Sequence, residues 1–563
     1  MFGWGAGLTV ATTTAEPEKE RKPPAQPTPL DFPIYKLPDA VQNEADSTLH
    51  DFQNNLAGIK SPQDISHDRF KPLNLQVESD VDVSRMFPDD QARSLPPVPW
   101  QLDETQSGDA PRPQMSNGLP YPAKERFDIL QRELVLDDDD VFREVARLPQ
   151  REGRERVRVT QTRKFWAGLE HMAQYWDKRL DHYYEKPASP KQTPTDGESK
   201  GVQDQDQNGM DTDEQPDTIE SKMEVDGPTE SVYTGRRVDA GSEMPDDMRD
   251  ETIRAFIEMA AWPFGCQVTI PPLAPRLMVK SLLFPVRQTF QAARSPRDRQ
   301  VARSGILEGP VLIAQCRPET SFRSENDTPG EALGDMCDVF REVGGMLLAA
   351  QERAREGLSE QRPGEGKWWT TTARFGGAPH DEILDDLVTG PGMHGMPLPD
   401  SMVGEDDAST LTGTSESAPK RHKYEHPFVT SLNRRPSAMR KMTSSEKWKI
   451  LQPGPGLWDK RMKYMQIGKA KDSPFDDIYM VSSINHHISI LHLRVHKRYI
   501  DVLSSGKPST QEQSNDGQPW HVLKLQRTRW YDLFDANDRV EALKGVWSLF
   551  HYQLRTIPDV QTV

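Results

Sequence analysis

The sequence predicts a mainly α protein of the α+β class, with a helical core, a small β-sheet in the middle block, a long disordered N-terminal tail and two disordered insertions. Apolar residues recur at steps of three and four in several stretches, above all in residues 473–506, as on one face of a helix. Short apolar runs typical of strands fall within residues 266–316. Because 47 of the 563 residues are Pro and only 35% are hydrophobic, long segments are too polar to pack.

Changes in composition along the chain define six segments. We expect the folded ones to pack together, and leave open whether they form one domain or two. The segments are a disordered Pro-rich tail (1–122), a helical segment (123–186), a disordered acidic insertion (187–231), an α+β segment (232–372), a disordered linker with basic clusters (373–442) and a helical C-terminal module (443–563).

The N-terminal tail is predicted to be flexible, because its apolar residues occur only in isolated clusters such as residues 32–35. The alternative is an extended segment that wraps the core or a partner. Its first residues lack the basic region that precedes the apolar part of a signal peptide, so no signal or transit peptide is expected.

Two helices of the middle block have clear signals. One starts after Pro245, with acidic residues in its first turn, and ends before Pro263. The other spans residues 331–357 and carries Gly344 and Gly345 at its centre. Two glycines in a helix interior lower its stability, so they indicate either a close approach of another element or a break.

The helical C-terminal module is predicted from three stretches. In residues 473–506, Ser473 is a good N-cap, Pro474 suits the first helical position and Gly506 suits the stop. A second helix is predicted over residues 520–530, and a third starts at Asp535. Together they predict a compact bundle.

Cysteine content and hydropathy exclude several classes of protein. The three cysteines have no paired spacing, which favours a reducing compartment and argues against disulfides and cysteine zinc sites. No apolar run approaches the roughly 18 residues that a membrane span needs. The formal charge of −17 is carried mainly by the polar insertions, while Arg is frequent in the segments predicted to fold.

Four histidines lie in residues 473–506, and His492 and His496 are spaced as two zinc ligands on one helix face. No Glu follows His492 as in an HExxH motif, so the general base of a metalloprotease is missing. The alternative is that these histidines form the polar face of the helix. No cofactor is predicted, and His492 and His496 are retained only as candidate metal ligands.

Basic residues indicate two candidate anion sites. Arg163 and Lys164 open an aromatic-rich helix that could stack on and neutralise nucleic acid. Arg236 and Arg237 follow Gly235 in a turn that could hold a phosphate, although the glycine framework of a P-loop is missing. The alternative is a core helix with buried aromatics and solvated arginines.

Basic residues in the polar linker match the pattern of a bipartite nuclear import signal. The first cluster is Lys420, Arg421 and Lys423, and the second is Arg434 and Arg435, followed by the candidate phosphorylation site Ser437. We therefore predict a nuclear location, with the cytoplasm as the alternative.

The leading hypothesis is a non-enzymatic scaffold or subunit of a multiprotein complex, since no nucleophile or paired-carboxylate motif is found. Its expected partners are other protein subunits, with no membrane. A nucleic-acid-binding protein that uses the Arg-rich segments is the second hypothesis. A metal-dependent enzyme that uses the face of His492 and His496 is the third.

Overall fold

A nine-stranded mixed β-sheet forms the centre of the molecule in the computed structural model, which describes residues 23–88, 95–102, 112–187, 229–271, 274–358, 463–470, 473–507 and 519–557. The strands are β1 (Leu75–Glu78), β2 (Tyr183–Pro187), β3 (Thr229–Tyr233), β4 (Cys266–Thr269), β5 (Arg276–Val279), β6 (Leu282–Pro285), β7 (Phe290–Arg294), β8 (Ile306–Arg317), β9 (Lys463–Met465), β10 (Phe475–Ile484), β11 (His487–His496), β12 (Leu523–Arg527) and β13 (Tyr531–Asp532).

The order across the large sheet is β1-β12-β11-β10-β8-β7-β4, with β9 paired to β8 and β13 paired to β11. Three pairs are parallel, β1 with β12, β8 with β10 and β8 with β9, and the others are antiparallel. The remaining strands form two separate hairpins, β2 with β3 and β5 with β6.

Helices cover both faces of this sheet, so the protein belongs to the α/β class. The helices are α1 (Phe52–Ala57), α2 (Lys124–Leu134), α3 (Asp138–Val145), α4 (Arg163–Trp176), α5 (Asp246–Ala261), α6 (Arg299–Arg303), α7 (Leu333–Ala354), α8 (Lys497–Ser505) and α9 (Ala536–Gln553). One core lies between the sheet and α2, α3, α4, α5 and α9, and a second core lies between the sheet and α1, α7 and α8. The predicted helical core with a small sheet is therefore wrong.

The clearest error concerns residues 473–506, predicted as one helix. They form the two central strands β10 and β11, followed by the short helix α8. Both strands are buried on both faces, so apolar residues occur at odd and even positions and the period of two is hidden. The predicted stop is found, because Gly506 takes the left-handed conformation (φ 76°) and donates to the Val502 carbonyl.

A two-residue turn that we did not predict joins β10 to β11. Ile484 pairs with His487, which leaves Asn485 and His486 in the turn. Asn485 has φ 52°, a left-handed conformation that Asn adopts more readily than most residues. Its side chain donates to the Glu319 carbonyl at 3.1 Å, which ties the turn to the segment after β8. The predicted helix over residues 520–530 is also wrong, since β12 lies there.

Two helices of the middle block are found as predicted, as α5 and α7. A Cβ on Gly345 would lie 2.9 Å from the Arg287 carbonyl oxygen, and one on Gly344 would lie 2.8 Å from a methyl of Val286. The two glycines therefore mark a close approach rather than a break. The predicted start of α9 at Asp535 is also present, because its carboxylate accepts from the N–H groups of Asn537 and Asp538.

Part of the segment expected to be a disordered tail is packed against the sheet. Residues 31–36 cross the N-terminal end of α7, where Asp31 pairs with Arg323 and the Ile34 N–H donates to Asp335 at 3.0 Å. The Tyr35 hydroxyl donates to Asp338 and Glu342, two fully buried carboxylates. The described part of this segment thus wraps the core, which was the alternative interpretation of the sequence.

The carboxylates under Tyr35 belong to a buried ionic network between α7 and the sheet. Arg317 pairs with Asp338 and, at 3.1 Å, with Glu342, and Arg527 pairs with Glu342 at 3.0 Å. Breaking such a network by removing one partner is strongly destabilising, because the remaining charge stays buried.

The linker at 373–442 lies outside the described residues, and so does the insertion at 187–231 apart from the residues of β2 and β3.

None of the helices in the described segments has the length and apolar character that crossing a lipid bilayer requires.

Candidate functional site

His492 and His496, predicted to share one face of a helix, lie on strand β11 instead. Residues of a strand rise about 3.3 Å each, so these two side chains are about 13 Å apart and cannot share a metal ion. His496 caps α8, and its Nδ1 accepts a hydrogen bond from the Arg498 N–H at 2.9 Å. The predicted pair of metal ligands is therefore not formed.

Polar side chains line up on one face of the sheet where β10, β11, β12 and β1 lie side by side. Alternate residues of these strands face the second core, so the intervening ones face the opposite side. The register places them in two rows, one of Tyr479, His492, Gln526 and Glu78 and the next of Asp477, Arg494, Lys524 and Gln76. The fold thus places polar groups from distant parts of the chain next to one another.

A cleft of about 310 Å³ opens above these rows. Residues 85–88 form one wall and are anchored by the Tyr479 hydroxyl, which donates to the Met86 carbonyl at 3.1 Å. His492, Arg494, Lys524 and Gln526 contribute to its lining from the sheet. The volume is at the lower end of the range for small-ligand sites, about 300–1,000 Å³.

A chain of hydrogen bonds crosses the cleft floor from a buried carboxylate to the protein surface. His492 forms a hydrogen bond through Nε2 with Asp477 at 2.9 Å and another through Nδ1 with the Gln526 side-chain oxygen at 3.0 Å. The Gln526 amide nitrogen donates to Glu78 at 3.0 Å, and Arg85 donates to the same carboxylate at 3.0 Å. Since the Gln526 nitrogen faces Glu78, its oxygen must face His492.

Both ring nitrogens of His492 are engaged in contacts with other side chains of the protein. Both nitrogens face acceptors, and the ring also stacks on Tyr479 with 4.9 Å between ring centroids. A general base needs a nitrogen within reach of the substrate proton. His492 is therefore fixed in position by Asp477 and Gln526 rather than placed for acid–base chemistry on a ligand.

The buried carboxylate of Asp477 is kept ionised by its neighbours. Burial alone raises its pKa, but the hydrogen bond and charge of His492, together with Arg494 and Arg555, lower the pKa further than burial raises it. The Tyr552 hydroxyl adds a hydrogen bond at 3.3 Å. Asp477 thus fixes the orientation of His492 from below.

Arg494 and Lys524 are two cations of the cleft that form no ion pair within the described residues. They face each other directly across the ladder between β11 and β12. Arg494 lies over the Phe475 ring at 4.7 Å, and its buried Nε has no hydrogen-bond partner among the described residues. Within the described segments no carboxylate lies at ion-pair distance from either cation, whereas Arg85 is neutralised by Glu78. Like charges directly opposite in a sheet are destabilising. The Asp477 carboxylate lies opposite Arg494 on β10 and offsets part of this repulsion, and a bound anion would offset more of it.

The anion candidates predicted from the sequence are paired within the protein. Arg236 bonds to Glu170 at 2.6 Å, and Arg237 contacts both oxygens of Asp181, at 3.0 and 3.1 Å. Both arginines are buried. A Cβ on Gly235 would lie 2.4 Å from the Leu180 carbonyl oxygen, so this glycine permits close packing. The structure does not bring these side chains together as an open phosphate site.

The other predicted pair is also neutralised. Arg163 lies 3.4 Å from Glu144, and Lys164 lies 3.1 Å from Glu258 and 3.4 Å from Glu251. These ion pairs join the start of α4 to α3 and α5. The nuclear-import candidates Lys420, Arg421, Lys423, Arg434 and Arg435 lie outside the described residues.

The cleft residues Asp477, Arg494, Lys524 and Gln526 were missed because their segments were predicted as helices. A period-two signal is nevertheless present in the sequence. Residues 523–526 alternate between apolar and polar side chains, and so do residues 491–494. Such alternation is typical of a half-buried strand.

Comparisons with protein-family models, curated proteins and solved structures find no match for this chain.

Proposed function

We propose that this protein is a non-enzymatic binding subunit of a multiprotein assembly, and that its cleft recognises an anionic group on a protein partner. The single observation that carries the proposal is the pair of facing cations, Arg494 and Lys524, on the floor of the cleft without a carboxylate partner in the described residues. A bound anion would convert this repulsion into two charge-assisted contacts.

The preferred ligand is a phosphorylated side chain. A phosphoserine or phosphothreonine carries about −1.5 to −2 charges at neutral pH, which matches two adjacent cations, and clusters of basic residues are a common means of recognising it. A polyanion is disfavoured, because a protein of formal charge −17 repels nucleic acid at long range. The locked ring of His492 supports binding rather than catalysis.

The direct test is titration of the full-length protein with O-phospho-L-serine by isothermal calorimetry at low ionic strength. We expect Arg494→Gln or Lys524→Gln to weaken binding at least about tenfold, since each removes a charge-assisted hydrogen bond. Lys544→Gln is the matched control, because it removes one positive charge from α9 outside the cleft, where Lys544 pairs with Glu541. Equal affinity in all three variants, or no binding at millimolar ligand, would refute the proposal.

The class of partner is tested by competition. A pool of phosphoserine peptides should displace labelled phosphopeptide from the cleft, and the same pool without phosphate should not. Displacement by mixed-sequence RNA or DNA, with a steep dependence on salt, would instead support the nucleic-acid hypothesis.

A nuclear location belongs to the same proposal and is supported by the sequence alone, through the clusters at residues 420–423 and 434–435. Replacing Lys420, Arg421, Arg434 and Arg435 by Ala in a fluorescent fusion should shift the protein from the nucleus to the cytoplasm. An unchanged distribution would remove that part of the proposal.

A further inference from the structure

A second cluster of chemically active side chains lies at the opposite end of β11 from the cleft. His486 is in the turn between β10 and β11, and His487 is the first residue of β11. Strand β13 pairs with this end, so that Asp532 lies directly opposite His487. The Leu533 N–H also donates to the His486 carbonyl at 3.0 Å. Backbone pairing therefore holds the three side chains together.

The distances between these side chains are close to those of a metal site. His486 Nε2 lies 3.8 Å from Asp532 Oδ1, and His487 Nε2 lies 3.9 Å from Asp532 Oδ2. One ligand atom from each residue lies within 4.8 Å of the other two. Ligands about 2.0–2.1 Å from a tetrahedral zinc ion are about 3.3 Å from one another. Small side-chain rotations would bring all three atoms to that spacing.

The two imidazoles lack hydrogen-bond partners among the described residues. Within the segments that the structure describes, neither ring makes a hydrogen bond, and the Nδ1 atom of each is buried and unpaired. His486 is only 8% exposed. Buried polar groups are nearly always bonded, so two adjacent unbonded rings that face one carboxylate need an explanation. A cation bound by the two Nε2 atoms would give each ring a partner on the side that faces Asp532.

The protonation states suit a metal. Burial lowers the pKa of His486 well below its usual value and that of His487 to about 4, so both rings are neutral and keep a lone pair for a metal ion. Burial raises the pKa of Asp532 to about 6, with smaller contributions from the charges of Asp538 and Asp535. A bound cation would stabilise the carboxylate form.

Aromatic rings enclose the cluster and leave one side open. Trp176 lies 5.0 Å and Phe534 4.7 Å from the His486 ring, and Phe32 packs edge-on at 4.9 Å against His487. The Asp532 side chain is 37% exposed, so an ion can enter from its side. Asp538, which pairs with Arg529 at 2.6 Å, adds an acidic group next to the entrance.

We propose that His486, His487 and Asp532 form a binding site for one divalent transition-metal ion, with Zn²⁺ as the preferred ion. Two imidazoles and one carboxylate are a common set of zinc ligands and leave the fourth position to water. The ion would fasten the turn between β10 and β11 to β13 and to the start of α9. This site lies about five residues along β11 from His492, or roughly 17 Å, so it is independent of the anion-binding cleft.

The test uses tag-free full-length protein that has been stripped with a chelator, dialysed and titrated with ZnCl₂ in competition with a chromophoric chelator. We expect one ion per chain with an apparent Kd below about 1 µM, and at least 100-fold weaker binding in His487→Gln and in Asp532→Asn. His50→Gln is the matched control, because His50 lies 3.3 Å from Asp51 in an exposed His–Asp pair outside the cluster.

A spectroscopic readout keeps the proposal testable if a variant fails to fold. X-ray absorption of the zinc-loaded wild-type protein should show two imidazoles in a shell of nitrogen and oxygen ligands. Fewer than two imidazoles, no stoichiometric zinc in the wild-type protein, or unchanged affinity in folded His487→Gln and Asp532→Asn would each overturn the proposal.

Discussion

Arg353 on α7 and Asp476 on β10 form a buried bidentate ion pair. The Arg353 Nε and Nη2 atoms lie 2.8 and 2.9 Å from the two carboxylate oxygens. The same guanidinium donates to the carbonyls of Pro310 and Ile467, at 2.8 and 2.6 Å. One side chain thus joins a helix to β10, to β8 and to the segment that follows β9.

Replacing Arg353 by Leu should destabilise the protein by about 3–5 kcal/mol, because Asp476 would remain buried without its partner. Urea unfolding followed by circular dichroism measures the change. Arg85→Leu is the comparison, since its pair with Glu78 is solvent-exposed and should contribute less than about 1 kcal/mol. Equal effects of the two substitutions would contradict this account.

Gly345→Ala should destabilise the protein by about 1–3 kcal/mol, although Ala favours helices by about 1 kcal/mol. The added Cβ would lie 2.9 Å from the Arg287 carbonyl oxygen, which cannot move without shifting the backbone. Gly344→Ala meets only a Val286 methyl.

A compensating substitution separates the two glycines. Val286→Ala alone should lower the thermal stability, because it removes two buried methyl groups. Relative to the sum of the single effects, it should partly rescue Gly344→Ala and should not rescue Gly345→Ala. Rescue of both variants would show that the contact with the Arg287 carbonyl is not what lowers the stability of Gly345→Ala.

His551 should make the protein sensitive to acid. Burial lowers its pKa to about 4, and the ring packs against Tyr121 with 4.4 Å between centroids. A His with a lowered folded-state pKa contributes stability that is fully present above the unfolded pKa, about 6.5, and is lost as the pH falls toward 4. The loss at this single site is about 3 kcal/mol.

His551→Phe should therefore reduce the difference in free energy of unfolding between pH 7 and pH 4.5 by about 2–3 kcal/mol. Urea unfolding at the two pH values measures it. His171→Phe, which replaces a partly exposed histidine of α4, is the matched control for the loss of one imidazole. A variant as sensitive to acid as the wild-type protein would exclude His551 as the cause.

His492→Leu should cost about 2–4 kcal/mol near neutral pH, because it leaves the Asp477 carboxylate buried without its main partner. Adding Asp477→Asn should recover part of this loss, since the neutral amide needs no counter-charge. The coupling energy from a double-mutant cycle measures the interaction. Additive effects of the two substitutions would mean that the pair does not interact.

The sequence predicted elements with local signals better than the buried central strands, for physical reasons. The strand runs predicted within residues 266–316 are found in β4, β5, β6 and β8. The helices α5 and α7 and the start of α9 have local signals, such as Pro245 and the Asp535 cap, that depend only on neighbouring residues. The strands β10 and β11 are buried on both faces, and a continuous apolar run does not distinguish a buried strand from a helix. The predicted fold class was therefore wrong, although the ends of several individual helices were predicted correctly.

The candidate sites were only partly predictable. His492 was singled out, but as a ligand on a helix with His496, and its actual partners lie on two other strands, β10 and β12. Arg494 and Lys524 become neighbours only through the antiparallel register of β11 with β12. Asp532 is brought to His487 in the same way by β13. Contacts that depend on such pairing cannot be inferred from the spacing of residues along one chain.

The parallel pairing of β1 with β12 has a consequence for biosynthesis. During translation, residues 75–78 leave the ribosome several hundred residues before the strand with which they pair. Until then their backbone N–H and C=O groups have only solvent or a chaperone as partners. The nascent polypeptide should therefore close its sheet only near the end of synthesis, and prematurely terminated products should remain prone to aggregation.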